Sequence, residues 1–194
     1  MPINIRALIV AAGCLAVFPA AAQTAAPPAA VPAATTADDA PQLDIEKTLG
    51  EVGAGWTKQN ATGESVTYVC DKDSCGGRGV LGISAAKPSG EYLKKVVADP
   101  QGALTAFKYG NEESMKATGC AFKSYDIKKI NDARVQIDSA GGCPDGSSAV
   151  MSTIFDAKSE RLMAVQVLTK GESAALKLRD DSAAKINKAL DATL

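Results

Sequence analysis

Histidine is missing from the sequence, which has none of it among 194 residues. Its absence excludes serine and cysteine nucleophiles activated by histidine, and it excludes zinc, copper or haem iron held by imidazole. Paired carboxylates can replace histidine in acid–base catalysis, but the adjacent acids Glu112-Glu113 and Asp180-Asp181 point away from each other along the chain. The sequence therefore predicts no catalytic residues, no bound metal and no cofactor.

Aromatic residues are scarce and neither sign of charge is in excess. The chain has one Trp, four Tyr and four Phe, and its 21 Lys and Arg nearly balance 22 Asp and Glu, for a net charge of -1. Proteins that bind nucleic acid usually present a basic stripe or aromatic stacking platforms. We therefore expect no nucleic-acid partner.

The N-terminal apolar run covers residues 7–18 and is too short and too rich in alanine to predict a membrane span. Arg6 precedes this run, and Pro19-Ala20-Ala21-Ala22 follows it. A charged start, a short apolar region and a small-residue cleavage site are typical of a secretory signal peptide. The sequence predicts a signal peptide over residues 1–22, cleavage near Ala22, and a periplasmic or secreted mature chain without a membrane span.

An alternative reading makes the chain an envelope lipoprotein anchored through Cys14, because Ala12-Gly13-Cys14 resembles a lipoprotein cleavage box. The apolar run continues past Cys14 to the better Ala-x-Ala site, and Ala11 stands where a leucine is usual. Soluble export is the favoured interpretation.

Residues 23–41 are nearly all Ala, Pro and Thr and show no periodicity. A segment of this composition buries too little apolar surface to offset the entropy of ordering it. We interpret it as a disordered linker. Residues 42–194 then form a single domain of ordinary size, large enough for a hydrophobic core.

Four cysteines follow the signal region, at Cys70, Cys75, Cys120 and Cys143. An even number in an exported domain predicts two disulfides. Three connectivities are open in principle. Two strand-like runs flank Asn131-Asp132, and pairing Ile130 with Ala133 places Cys120 opposite Cys143, given a small bulge at Gly141-Gly142. This hairpin geometry favours Cys120–Cys143, which leaves Cys70–Cys75 across a turn.

The cysteines could also bind a metal or act in redox chemistry. The spacings do not match the C-x2-C knuckles of a four-cysteine zinc site. A thiol–disulfide redox protein using Cys70 and Cys75 is the second functional hypothesis, although C-x4-C is not the usual redox spacing.

The order of patterns along the domain predicts an α+β fold. Short runs rich in β-branched residues indicate about six strands, at residues 65–70, 80–84, 122–130, 133–139, 148–155 and 161–169. Helical periodicity covers residues 44–52, 91–97 and 173–194, and another helix holds Leu104 and Phe107. Residues 110–119 are expected to form a loop or frayed helix. We expect an antiparallel sheet of hairpins and a four-strand meander, with helices packed on one face and a C-terminal helix.

This layout resembles the PsbP/DcrB-like fold group over most of residues 55–194. The similar features are a first strand opening with Gly55-Trp56, helices after the first hairpin, the run Ile130-Asn131-Asp132-Ala133, two long strands and a C-terminal helix. The resemblance implies a small lumenal or periplasmic accessory module that is usually not an enzyme. It implies no catalytic residues.

One short motif offers candidate ligand-binding chemistry. Gly76-Gly77-Arg78-Gly79 could hold an anion between backbone N–H groups and a guanidinium, although no phosphate-loop Gly-Lys-Ser/Thr follows. The alternative interpretation is that these glycines permit a bulge beside the cysteine turn. Trp56 and Tyr92 could line a ligand cleft between the sheet and a helix, although aromatic residues at such positions usually belong to a core. The sequence thus predicts an exported accessory domain that binds an envelope protein or a small ligand without catalysis.

Overall fold

A computed structural model describes residues 43–75, 78–116 and 118–192. Seven strands form one sheet in the order β1-β2-β3-β7-β6-β5-β4, and every neighbouring pair is antiparallel. Their bounds are β1 Thr57–Thr62, β2 Ser65–Cys70, β3 Gly79–Ala86, β4 Ala121–Asn131, β5 Arg134–Gly142, β6 Ser148–Asp156 and β7 Arg161–Thr169. The predicted α+β class is confirmed, with seven strands where about six were expected.

Within the described residues, four α-helices accompany the sheet: α1 Ile45–Leu49, α2 Gly90–Ala98, α3 Pro100–Lys116 and α4 Glu172–Ala192. The predicted N-cap of α2 is present, since Ser89 Oγ accepts a hydrogen bond from the backbone N–H of Tyr92 at 3.3 Å. Pro100 separates α2 from α3. It fits the first position of α3, where a backbone N–H would have no helical partner.

Helix α3 continues to Lys116, so the loop or frayed segment expected from residue 110 onward is helical over much of its length. Gly110 is exposed, whereas Phe107 and Asn111 are buried, at 9% and 7% exposure. One buried edge therefore holds this helix against the protein. Tertiary packing of that edge outweighs the weak helix propensity of its glycine and polar residues.

The sheet has an apolar layer on each face. On the first face, called the α4 face, side chains of β2, β3, β6 and β7 form one core with α1 and α4. Its fully buried members include Leu49, Leu81, Ile154, Met163, Val165, Ile186 and Leu190. Lys185 of α4 also holds α1 in place, because its Nζ donates to the carbonyl oxygens of Leu49 at 2.5 Å and Glu51 at 3.2 Å.

The opposite face, called the α3 face, packs against α2 and α3. Phe155 of β6 lies there, with its ring centroid 6.4 Å from those of both Tyr92 and Phe107. Because helices cover both of its faces, β6 is buried along its whole length. The helices thus divide between two faces, where the sequence led us to expect them on one.

Strand β7 is the fourth of seven strands and lies at the centre of the sheet. The sequence predicted this position from a run that is apolar on both faces except at Gln166. At the edge, all residues of β1 are exposed, and this strand begins at Thr57, one residue after the Trp56 at which a strand was expected.

Candidate functional sites

The predicted cysteine pairs are both present as disulfides. Cys70 ends β2 and bonds to Cys75, which ends a 3-10 turn, and their Cα atoms are 6.4 Å apart. Cys70 is 3% exposed and Cys75 is 9% exposed. Thiol–disulfide exchange begins when an outside thiolate attacks a sulfur atom. The burial of both residues opposes that attack and favours a structural role.

The second disulfide, Cys120–Cys143, joins the ends of the β4–β5 hairpin, with the Cα atoms 4.0 Å apart. The hairpin turns at Asp132-Ala133, with Asn131 paired to Arg134, one residue later than predicted. Two register shifts in β4 follow, after Lys129 and after Phe122, and they bring Ala121 opposite Gly142. The predicted cysteine pairing is therefore right, although the details of the hairpin differ.

Both disulfides lie at the same end of the sheet. Register pairs run in one row across six strands, through Cys70, Gly79, Thr169, Ser148, Gly142 and Ala121. Cys120 and Cys143 directly follow the last pair of this row. One disulfide therefore lies on each side of the central strands at this end of the sheet, the first after β2 and the second across the β4–β5 hairpin.

The glycine-rich motif is only partly described, because Gly76 and Gly77 lie outside the described residues. Gly79 is buried in β3, and a Cβ on it would come within 3.0 Å of the Trp56 ring. Its small size therefore serves packing. Arg78 is exposed, and anion binding by the motif stays a prediction.

Trp56 and Tyr92 do not share a cleft. Trp56 packs against the core of the α4 face, whereas Tyr92 contacts Phe155 on the α3 face. The sheet itself separates the two rings, so each is a packing residue of its own layer.

A stripe of polar side chains beneath α4 was missed by the sequence analysis. Alternate residues Arg134, Gln136 and Asp138 of β5 point to the α4 face and are at most 6% exposed. The facing edge of α4 carries Arg179, Asn187 and Asp191. Asn187 Nδ2 donates to Gln136 Oε1 at 2.9 Å, and Arg179 Nη1 donates to the Ser139 carbonyl at 3.3 Å. The layer between the sheet and α4 is therefore apolar over β2, β3, β6 and β7 and polar over β5.

Asp138 is the acceptor at the centre of the stripe. Its carboxylate accepts from Lys128 Nζ at 2.6 Å, from Gln136 Nε2 at 2.8 Å and from Ser152 Oγ. Burial acts to raise the pKa of Asp138, but these three donors and the Arg179 charge outweigh it and hold the pKa below its ordinary value. The carboxylate is therefore ionised and fully engaged, which gives it a structural role.

Arg134 anchors the end of the stripe and is completely buried. Its Nε donates to Asp156 Oδ2 at 2.5 Å, and its Nη1 donates to the Asn187 carbonyl at 3.0 Å and to Asp191 Oδ1 at 2.8 Å. Its Nη2 is buried and has no hydrogen-bond partner in the structure. A buried donor without an acceptor is unusual and costly.

Arg134 also lines an open cavity of about 520 Å³. The β4–β5 turn, the β6–β7 turn and the end of α4 enclose it. Its lining residues are Asn131, Asp132, Ala133, Arg134, Asp156, Lys158 and Asp191. The volume is within the usual range for small-molecule sites.

Across residues 43–75, 78–116 and 118–192, no three side chains of Cys, Asp or Glu are arranged to hold a metal ion. Within the same ranges, none of the helices has the length and apolar character needed to cross a bilayer.

Comparisons with known proteins give no family. No family model matches the chain, and no curated protein matches it significantly. A STAR-related lipid transfer protein from Xanthomonas axonopodis is 11% identical, with a TM-score of 0.24, over 72% of this chain and 98% of that one. Human StAR-related lipid transfer protein 5 is 11% identical, with a TM-score of 0.25, over 71% and 87%. Likenesses at this level do not bear on function, which must be argued from the chain itself.

Proposed function

We propose that this chain is an exported accessory domain of the periplasm or extracellular space, which binds a small ligand or an envelope protein and catalyses no reaction. The observation that carries the proposal is the pairing of all four cysteines of the domain into two disulfides. Such bonds persist in oxidising compartments and are rare in the cytosol. The signal-like residues 1–22 point to the same compartment.

The chemistry of the domain supports binding over catalysis. The whole sequence lacks histidine, and the most elaborate set of charged groups, around Asp138 and Arg134, is engaged in bonds within the sheet and, through Arg134 and Asp191, between the sheet and α4. The layout of three strands, two helices, four strands and a C-terminal helix supports the proposed kinship with PsbP/DcrB-like modules.

Export is tested by expressing the full chain in a bacterium with an oxidising periplasm and measuring the intact mass with and without reductant. We expect a mature chain starting at Gln23 in the periplasmic fraction, gaining four hydrogens on reduction of its two disulfides. A matched chain without residues 1–22 should stay in the cytosol with free thiols. A full-length, unprocessed cytosolic product would contradict export, and a lipid-modified mass starting at Cys14 would replace soluble export with anchoring.

Binding without catalysis is tested on the same periplasmic preparation. Native mass spectrometry should show a retained small-molecule adduct, or crosslinking in intact cells should show a specific envelope protein. A variant with all four cysteines changed to Ala is the control for dependence on the fold. Turnover of a substrate that follows the protein through purification and is lost in that variant would refute the proposal.

A further inference from the structure

We infer that the cavity beside Arg134 binds a small zwitterion, such as a free amino acid, through its carboxylate and its ammonium group. The inference rests on the proposed function and names the ligand class for it. The binding residues are Arg134 and Lys158 for the carboxylate, and Asp132 and Asp191 for the ammonium group. All four line the same cavity.

The buried guanidinium provides the first argument. Two of its three nitrogens are engaged by Asp156, Asp191 and the Asn187 carbonyl, and Nη2 has no partner. Asp156 does not turn a second oxygen toward it, because Asp156 Oδ1 accepts from the backbone N–H groups of Lys158 and Ser159 at 2.9 Å each. A guanidinium is fixed and planar, and its remaining N–H groups suit a carboxylate oxygen.

Lys158 provides a second cation at the same cavity. Its side chain is exposed in the β6–β7 turn, and no carboxylate of the described residues lies within ion-pair distance of it. Together, Arg134 Nη2 and the Lys158 ammonium give one rigid and one mobile donor for an anion.

The acidic residues decide which anion fits. Asp132 and Asp191 line the cavity with side chains 102% and 63% exposed. Asp132 Oδ1 pairs with Lys129 Nζ and Asp191 Oδ1 pairs with Arg134 Nη1, each at 2.8 Å, which leaves the second oxygen of each carboxylate for a ligand. They repel a multiply charged phosphate, and they attract an ammonium group. A molecule that carries one carboxylate and one ammonium group matches both sets of residues.

The test is a titration of the full, oxidised chain followed by the backbone amide NMR signals of Asp132, Ala133 and Lys158. The probes are L-alanine, propionate, ethylamine and inorganic phosphate. We expect saturable shifts with L-alanine, weaker binding of propionate, and no saturable shifts with ethylamine or phosphate. No saturable shift with L-alanine would overturn the inference, and so would phosphate binding more tightly than L-alanine.

Variants separate the site from general charge effects. Lys158→Ala should weaken L-alanine binding about fivefold, whereas Lys94→Ala, an exposed lysine of α2, should leave it unchanged. Asp132→Asn should weaken the binding of L-alanine but not that of propionate. The side chains of Lys158 and Asp132 are both exposed, so the two variants should fold. Equal binding by wild type and Lys158→Ala would refute the site. A chain that is exported and oxidised yet binds none of the probes refutes this inference and leaves the proposed function standing.

Discussion

Arg134 and Asp156 form an ion pair that is enclosed by the fold, with side chains 0% and 1% exposed and 2.5 Å between Nε and Oδ2. The two residues are direct register partners on β5 and β6. Through Nη1 the same guanidinium reaches Asn187 and Asp191 near the end of α4. One buried cation therefore fixes two strands and the C-terminal helix relative to each other.

Arg134→Met should lower the free energy of unfolding by about 3–5 kcal/mol, because it leaves the Asp156 carboxylate buried without its cation. Urea unfolding followed by circular dichroism measures the loss. Arg78→Met is the matched control, since Arg78 is exposed, and it should change stability by no more than about 0.5 kcal/mol. A loss below about 1 kcal/mol for Arg134→Met would show that the pair is not the anchor described here.

The two disulfides should contribute unequally. Cys120–Cys143 spans 23 residues of sequence and Cys70–Cys75 spans 5, and a longer closed loop removes more entropy from the unfolded chain. Changing both cysteines of a pair to Ala should cost about 3 kcal/mol for Cys120–Cys143 and about 2 kcal/mol for Cys70–Cys75. Urea unfolding of the two double variants gives the order, and a larger loss for the shorter loop would contradict it.

Asp138 should make the protein sensitive to acid. Its folded pKa lies below its ordinary value, because the Lys128, Ser152 and Gln136 donors and the Arg179 charge outweigh the effect of burial. A lowered folded pKa stabilises the protein above the unfolded pKa, and that stability is lost as pH falls through the folded pKa. Asp138→Asn should therefore cost about 2 kcal/mol at neutral pH, and the difference from wild type should shrink as the pH falls below the ordinary pKa of an aspartate and through the lowered folded pKa.

The measurement is the free energy of unfolding in urea from about pH 2 to about pH 7. Asp126→Asn is the control, because Asp126 lies 3.8 Å from the same lysine with a side chain 67% exposed. It should leave neutral stability within about 0.5 kcal/mol of wild type. A constant difference between Asp138→Asn and wild type across this range would show that the carboxylate charge is not what stabilises the stripe.

Much of the sheet could be predicted because local chemistry decides it. Residues 65–70 and 161–169 are rich in β-branched and apolar side chains, and they form β2 and the central β7 as expected. Both disulfides followed from hairpin geometry. A bulge was expected at Gly141-Gly142 of β5, but the register shifts lie in β4, between Phe122 and Ser124 and between Lys129 and Asn131. The helical course of residues 110–116 was not predictable, since tertiary packing at Phe107 and Asn111 determines it.

The stripe beneath α4 was hidden for a different reason. Alternation of Arg134, Gln136 and Asp138 with apolar residues is typical of a strand with one solvated face. In the structure that polar face is covered by Arg179, Asn187 and Asp191 of α4. Those three residues lie on one edge of the helix. The sequence therefore shows a polar edge on α4 and a polar face on β5, but neither pattern alone indicates that the two contact each other. The cavity at Arg134 was missed with it.

Gly141 of β5 should be intolerant of any side chain, because a Cβ there would overlap the backbone of Ala121 and Phe122 where β4 bulges beside the Cys120–Cys143 bond. Gly141→Ala should cost about 1–3 kcal/mol. Gly82→Ala is the matched control in β3, since a Cβ there meets nothing within 4 Å, and it should be neutral or stabilise by up to about 1 kcal/mol. Urea unfolding of both variants makes the comparison. If the two glycines responded alike, the close approach of β4 to Gly141 would carry no energetic weight.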